Sequence, residues 1–346
     1  MDASQLIQSG IAGLIEGRDL TRSQAREIMG LIMEGTASAA QIGALLTALR
    51  IKGETVEEIT GFAEAMRGFG THVRTESAKL LDTCGTGGSG IHKFNISTAS
   101  AIISSAAAVR VAKHGNRSAS GRAGSADVLE ALGVNIHLNA EQARQCLDNI
   151  GICFLFAQIY HPSMKYAAAP RKELGVRTIF NMLGPLTNPA GADRQLMGIY
   201  DRAKTETIAT VLKELGTKRA MIVSSLDGLD EISISSPTQV SELKDGEVIT
   251  YEITPEALGL SRHPLQQVLG GDAAENAAII RTVLEGSINP YRDIVLANAG
   301  ACIYVAGLAE TLAEGVEKAK ATVDSGAALS KLEQLKSMTK ELEYVS

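Results

Sequence analysis

The chain has no tryptophan, and aromatic residues make up only 4% of it, so its core must be built from aliphatic side chains. Hydrophobic residues at 45% are enough for a sizeable one. Nor is there an excess of cations. A formal net charge of −6 argues against non-specific binding to nucleic acid or to an anionic membrane. Any anionic ligand must then be held by local cations, backbone N–H groups or metal ions. Cysteine is scarce: Cys84, Cys146, Cys153 and Cys302 are scattered, with no C-x-x-C pair. This spacing excludes the common zinc pattern and predicts buried, reduced thiols rather than a disulfide framework. There is no basic-then-apolar leader, and the apolar stretch 101–111 is interrupted by Ser104, Ser105 and Arg110, well short of the ~18 residues of a membrane span. A soluble, cytoplasmic protein is expected, with neither membrane nor nucleic acid as partner.

A length of 346 residues predicts two domains, or one large domain with a smaller companion. Residues 1–72 read as helices only. Leu6, Ile7, Ile11, Leu14 and Ile15 recur at helical spacing, Thr21 opens a second helix that Gly35 ends, and 38–51 and 56–66 make two more. Four short helices make a thin core, so they are expected to pack on the rest of the chain and on a second subunit. From Lys79 the pattern changes to short apolar runs alternating with helices, the mark of an α/β domain with a central, mostly parallel sheet. Expected strands are 80–83, 109–112, 195–200, 220–224 and 231–235. Helical segments at 164–171 and 172–180, inside a 163–188 insertion, are expected to rejoin the N-terminal helices. The α/β domain is then 73–162 with 189–346. Asp245-Gly246 suggests a hairpin turn, and 273–312 is helical.

The stretch Asp82–Asp127 is the richest in chemistry. Gly85-Thr-Gly-Gly-Ser-Gly90 follows an expected strand, and Asn95-Ile-Ser-Thr98 opens a helix of small residues. A free helix N-terminus binds phosphate through its N–H groups and dipole, although Asn or Ser there also serves as a simple N-cap. The glycines alone also admit an ordinary tight turn as the lesser reading, which shrinks once the residues downstream are included. A dinucleotide fold would place a carboxylate at the end of the next strand, where Lys113-His114 stands instead. A Walker loop would need Lys and Ser or Thr after Gly90, where Ile91 and His92 stand. What remains is a site for a small, heavily phosphorylated molecule.

These motifs, with Lys113-His-Gly-Asn-Arg-Ser118, Gly124-Ser-Ala-Asp127, Arg171-Lys-Glu-Leu-Gly175, Phe180-Asn-Met-Leu-Gly-Pro-Leu-Thr-Asn-Pro189, Asp227-Gly-Leu-Asp-Glu231, Gly271-Asp-Ala-Ala-Glu-Asn-Ala277 and Asn298-Ala-Gly300, closely resemble the anthranilate phosphoribosyltransferase family over essentially the whole chain. The resemblance implies a pyrimidine nucleoside phosphorylase-like fold and a homodimer joined through the helical domain. It also implies transfer of the phosphoribosyl group of 5-phosphoribosyl 1-pyrophosphate to the amino group of anthranilate, in tryptophan biosynthesis, with magnesium, a pair of ions per subunit, as cofactor.

Carried residue by residue, the resemblance implies that the donor is bound by Gly85, Gly88, Ser89, Lys93, Asn95, Ile96, Ser97, Thr98, Lys113, His114, Gly115, Asn116, Arg117, Ser118, Ala119, Ser120, Gly121 and Ser125. Gly85, Asn116 and Arg171 would face anthranilate, and Ser97, Asp230 and Glu231 would ligate metal. Direct displacement needs no catalytic nucleophile, so Asn116 and Arg171 would only position the substrates. His114 and His161 also match, as packing or proton-transfer groups. Two positions depart from the family pattern: Ser89 replaces its usual Asp, and Lys93 its usual Ser or Thr. Both changes make the loop more positive, so donor affinity is expected to depend less on magnesium. The competing readings are a pyrimidine nucleoside phosphorylase-like enzyme, an NADP oxidoreductase, and a non-catalytic relative that binds nucleic acid.

Overall fold

The computed structural model describes residues 2–118 and 122–343; Ala119, Ser120 and Gly121 lie outside the described residues. The chain opens with α1 (Ala3–Ile15), α2 (Arg22–Met33), α3 (Ala39–Lys52) and α4 (Val56–Phe69). Each begins with a capping box, Asp2 with Gln5, Thr21 with Gln24, Ser38 with Gln41 and Thr55 with Glu58, so the otherwise unpaired first-turn N–H groups are met within four residues. Glu58 is fully buried: it also accepts from the Leu20 N–H and pairs with Lys52 at 3.0 Å.

The α/β part follows as β1 (Leu80–Gly85), α5 (Ile96–Ala106), β2 (Arg110–Gly115), α6 (Ser125–Ala131), α7 (Ala140–Ile150), β3 (Ile152–Phe156), α8 (Ala157–Tyr160), α9 (Lys165–Leu174), α10 (Phe180–Leu183), β4 (Arg194–Gly198), α11 (Thr205–Glu214), β5 (Arg219–Ser225), β6 (Thr238–Lys244) and β7 (Glu247–Ile253). Four further helices close the chain, α12 (Ala273–Leu284), α13 (Pro290–Val305), α14 (Leu312–Asp324) and α15 (Ala327–Glu343). The seven strands form one sheet in the order β3-β2-β1-β4-β5-β6-β7, parallel from β3 to β5 and antiparallel beyond. The fold class is therefore a small helical N-terminal domain with an α/β domain around a mostly parallel sheet. Ala167 of α9, and Ile179, Phe180 and Met182 around α10, join the buried cluster formed by α1 to α4.

Three local readings need correction. Residues 231–235 are not a strand, because their backbone finds side-chain partners instead of a neighbour: Ile232 N donates to Asn298 Oδ1 and Ser233 N to Thr238 Oγ1, both at 3.0 Å. β3 goes unpredicted. The 172–180 helix is broken at Gly175, whose φ of 62° is left-handed, a stop that glycine permits at little cost. The hairpin turn at Asp245-Gly246 joins β6 to β7, both residues having positive φ. All four cysteines are buried and free, and burial pushes Cys146 and Cys302 up to about 12. Among the described residues no helix is long and apolar enough to cross a membrane.

Candidate active site

The chain leaves β1 for β2 on one side and returns to β4 on the other, so the topological switch point lies between β1 and β4. Open α/β sheets bind ligands at the carboxyl ends of their strands at that point. Gly85 and Gly198 pair at those ends, and the segment after β5 crosses over them. A Cβ on Gly85 would stand 2.8 Å from Asp230 Oδ2, and one on Gly198 would overlap the Asp230 backbone. These two glycines are what let the Asp230-Glu231 pair lie on the sheet end. The loop itself turns on Gly87, Gly88 and Gly90, all with positive φ.

Four of the expected donor-site residues converge at the start of α5. Asn95 occupies the N-cap position but makes no capping hydrogen bond. Its side chain is held sideways: Asn276 Nδ2 donates to Asn95 Oδ1 at 2.9 Å, and Asn95 Nδ2 donates to the Ala123 carbonyl at 3.3 Å. The helix start is thus not closed by its own cap. Thr98 Oγ1 is buried without a hydrogen-bond partner. Lys113 Nζ, coming from β2, donates to the Thr83 carbonyl at 2.5 Å and to Ser97 Oγ at 3.1 Å. Burial lowers the Lys113 pKa, against the pull of nearby Asp82. Burial also raises Asp82 to about 6. The outcome is a buried ammonium with neutral oxygen partners beside a helix start that lacks a side-chain cap, an arrangement suited to phosphate.

On the other flank, Lys93 Nζ lies 2.7 Å from Glu231 Oε1 and 2.9 Å from Asp230 Oδ1, and donates to the Asp230 carbonyl at 3.1 Å. The contact with Oδ1 is an ion pair without hydrogen-bond alignment. Gly87 N donates to Asp230 Oδ2 at 3.1 Å. Burial alone would lower the Lys93 pKa, but Asp230 and Glu231 together outweigh it and raise it. Burial raises Glu231, with Lys93 opposing. Two carboxylates would suit a hard divalent ion; as they stand they do not fit one, because an ammonium already occupies the position between them. The Ser97 hydroxyl accepts instead from Lys113 Nζ. Among the described residues no group of three or more His, Cys, Asp or Glu side chains is placed to hold a metal.

The remaining expected residues are more dispersed. Asn116 is exposed, and its Oδ1 accepts the Arg117 N–H at 2.8 Å. Arg117 turns outward to Asp127 and Glu130, while Asp127 Oδ2 takes the Ser118 and Gly124 N–H groups. Ser125 Oγ donates to the Asn116 carbonyl. Ser89 Oγ accepts weakly from Ile91 N at 3.4 Å. Gly115 packs against Ser125 and Phe154, and Ile96 is fully buried. His114 and His161 are buried with ring centres 5.1 Å apart. Burial, aided by His161, lowers His114 to about 3, and burial also lowers His161. Both are neutral near pH 7, which favours packing over proton transfer. Arg171 lies on the last turn of α9, its guanidinium 4.9 Å from the Phe180 ring centre, and burial lowers its pKa.

Three residues of the site had no assigned role. Arg177 stacks 4.2 Å from the Tyr200 ring centre and reaches the Gly88 carbonyl, tying the helical layer to the glycine loop. Asn276 orients Asn95, as above. Asn298 brackets Ile232, donating to its carbonyl at 2.9 Å as well as accepting its N–H, and so fixes the segment that carries Glu231. The Asn276 and Asn298 motifs were visible in the sequence; their partners, 181 and 66 residues away, were not. A cavity of about 390 Å³ lined by Val73, Lys79 and Asp193 among others lies at the opposite, amino ends of β1 and β4, and is separate from this site.

Comparison with known proteins agrees with the geometry. The helical bundle domain of a glycosyl transferase family matches residues 8–70, and the α/β domain of the same family matches 77–329. The anthranilate phosphoribosyltransferase of Brevibacillus brevis is 53% identical over 323 residues, 93% of this chain and 95% of the relative. That of Acetivibrio thermocellus is 49% identical over 334 residues, 96% of this chain and 97% of the relative. The crystal structure of anthranilate phosphoribosyltransferase from Thermus thermophilus superposes with a TM-score of 0.92 at 41% identity, covering 98% of this chain and all of that one. The enzyme of Saccharomyces cerevisiae in complex with PRPP and Mg gives 0.89 at 26% identity, covering 97% of this chain and 98% of that one. Identity of this order over nearly the full length, on the same fold, decides the matter: the chain belongs to the anthranilate phosphoribosyltransferase family.

Proposed function

We propose that this chain is a pentosyltransferase that moves the phosphoribosyl group of 5-phosphoribosyl 1-pyrophosphate onto the amino group of anthranilate. The products are N-(5-phosphoribosyl)anthranilate and pyrophosphate. The observation that carries this reading is the start of α5, which lacks a side-chain cap and has the Lys113 ammonium 3.1 Å from Ser97 Oγ. The donor is taken as its magnesium complex, and that ion, when bound, draws negative charge off the pyrophosphate.

The amine of anthranilate is a nucleophile when neutral, so no covalent enzyme intermediate is needed. Its nitrogen lone pair forms the bond to the anomeric carbon while the bond to pyrophosphate breaks. The electron pair leaves with pyrophosphate and the surplus proton goes to solvent. The chain's own contribution is alignment and charge complementarity. At the start of α5, Ser97, Thr98 and Lys113 receive phosphate oxygens, and Asn116 borders the sugar. Arg171 suits the carboxylate of anthranilate. Ligation of metal by Ser97, Asp230 and Glu231, with a pair of ions per subunit, is part of the proposal and requires Lys93 to withdraw from the carboxylates. A homodimer through the helical domain is proposed on the two isoleucines that domain leaves exposed, Ile15 at 72% and Ile51 at 81%. A cytoplasmic location is proposed on its four free thiols.

The test follows the fluorescence of anthranilate with the phosphoribosyl donor, with and without magnesium. Consumption that requires donor and metal is expected. No consumption by folded protein, together with phosphorolysis of thymidine, would favour the nucleoside phosphorylase reading.

A further inference from the structure

We propose that the ammonium of Lys93 is the resident cation of the Asp230–Glu231 position, so that the substrate-free protein takes up no divalent metal there. The inference rests on the functional reading above only in expecting metal near these carboxylates at all. The ammonium faces three oxygens of the pair, Glu231 Oε1, Asp230 Oδ1 and the Asp230 carbonyl, at 2.7 to 3.1 Å. The remaining carboxylate oxygen of Asp230 is taken by the Gly87 N–H. Both acids are buried, Asp230 at 0% and Glu231 at 3% exposure, and a buried carboxylate pair requires a counter-charge.

Lys93 is well placed to provide it without delay or reorganisation. Its backbone is bridged to Leu269, and the preceding carbonyl, of His92, accepts the Gly270 N–H at 2.7 Å. The following side chain, Phe94, is buried edge-on against Tyr291. The main chain on both sides is thus fixed, and the lysine stem runs from that anchor to the carboxylates. A divalent ion entering with Lys93 in place would meet a positive charge already seated on the oxygens it needs. Metal therefore reaches these carboxylates only with the donor, whose phosphates bring the extra negative charge that can draw the Lys93 ammonium away from them.

The test is Mn²⁺ binding to substrate-free protein, read from the electron paramagnetic resonance signal of free Mn²⁺, in wild type, Glu231→Gln, Lys93→Ser and the double variant. Turnover plays no part in this readout, so an inactive protein would fail the functional reading without failing this one. The expected result is that wild type and Glu231→Gln bind Mn²⁺ equally weakly. Lys93→Ser should gain a site at least about tenfold tighter, lost again in the double variant. A Glu231-dependent Mn²⁺ site in wild type would overturn the proposal, as would a folded Lys93→Ser variant that gains none. Should Lys93→Ser fail to fold, as judged by its circular dichroism melt, wild type against Glu231→Gln decides alone: equal binding supports the proposal and weaker binding in the variant overturns it.

Discussion

Two lysines flank the same sheet end, and they are in opposite electrostatic situations. Lys93 is wrapped by two carboxylates and a carbonyl, which raise its pKa despite burial. Lys113, 4% exposed, contacts a carbonyl and a hydroxyl, and burial lowers its pKa. Proximity to the same sheet end therefore does not mean equal role. The charge of Lys93 is already matched by the protein, whereas that of Lys113 is only partly compensated and becomes favourable when an anion arrives. One lysine holds the site together and the other makes it attractive to phosphate.

The sharpest way to break this contrast is Lys113→Met. Loss of a buried cation beside the donor's phosphates is expected to lower kcat/KM by on the order of 10³-fold, about 4 kcal/mol, in protein that keeps its far-ultraviolet circular dichroism. Near-normal turnover would remove the distinction between the two residues. Lys93→Met should instead show first in stability. It leaves two buried acids without their partner and is expected to cost about 3 kcal/mol, read as a shift in the guanidinium midpoint.

His114, next to Lys113, extends the contrast to pH. Its folded pKa of about 3 lies below the ordinary 6.5, so the folded chain keeps it neutral while the unfolded chain protonates it. The contribution to stability is full above about pH 6.5 and is lost progressively as pH falls toward 3. Between pH 7.5 and 5 the loss is about 2 kcal/mol. His114→Gln should flatten that part of the stability profile relative to wild type; parallel profiles would show that the ring titrates normally. The smallest effect is expected from Ser89→Asp, which returns a carboxylate to the glycine loop. The donor KM should become more dependent on magnesium, by about tenfold across a titration. Superimposable titrations of variant and wild type would assign the behaviour of the loop to Lys93 alone.

What the sequence could convey differs sharply between regions. The four capping boxes are local signals, each contained in four consecutive residues, and two of the helices they open, α2 and α3, could be bounded to within about a residue or two, while α4 runs three residues past the expected end at 66. The strands β1, β2, β4 and β5 were visible as apolar runs next to glycine or turn residues. Ile152–Phe156 was not, because Ile-Cys-Phe-Leu-Phe is buried on both faces and shows no alternation to separate strand from helix. Residues 231–235 misled for the converse reason: their alternation is real, but Asn298 and Thr238 satisfy the backbone instead of a neighbouring strand. In the site, the glycines and the helix start could be found from spacing alone. That Lys93 would reach Asp230 and Glu231, 137 and 138 positions away, could not, since a departure from a family pattern says which charge has changed and not where it goes.

The placement of α9 and α10 in the N-terminal cluster has a consequence for how the protein is made. The apolar face of Ile28, Leu45, Ile59 and Phe62 is completed by Ile179, Phe180 and Met182, which leave the ribosome more than a hundred residues later. At about 5–20 residues per second that interval is on the order of ten seconds. During it α2 can pack on α4 and α1 on α3, but the part of their surface that α9 and α10 cover stays open. The nascent chain thus carries an exposed sticky face while roughly the next third of the chain is made, and a truncation before residue 180 should be a client for chaperones rather than a stable small domain.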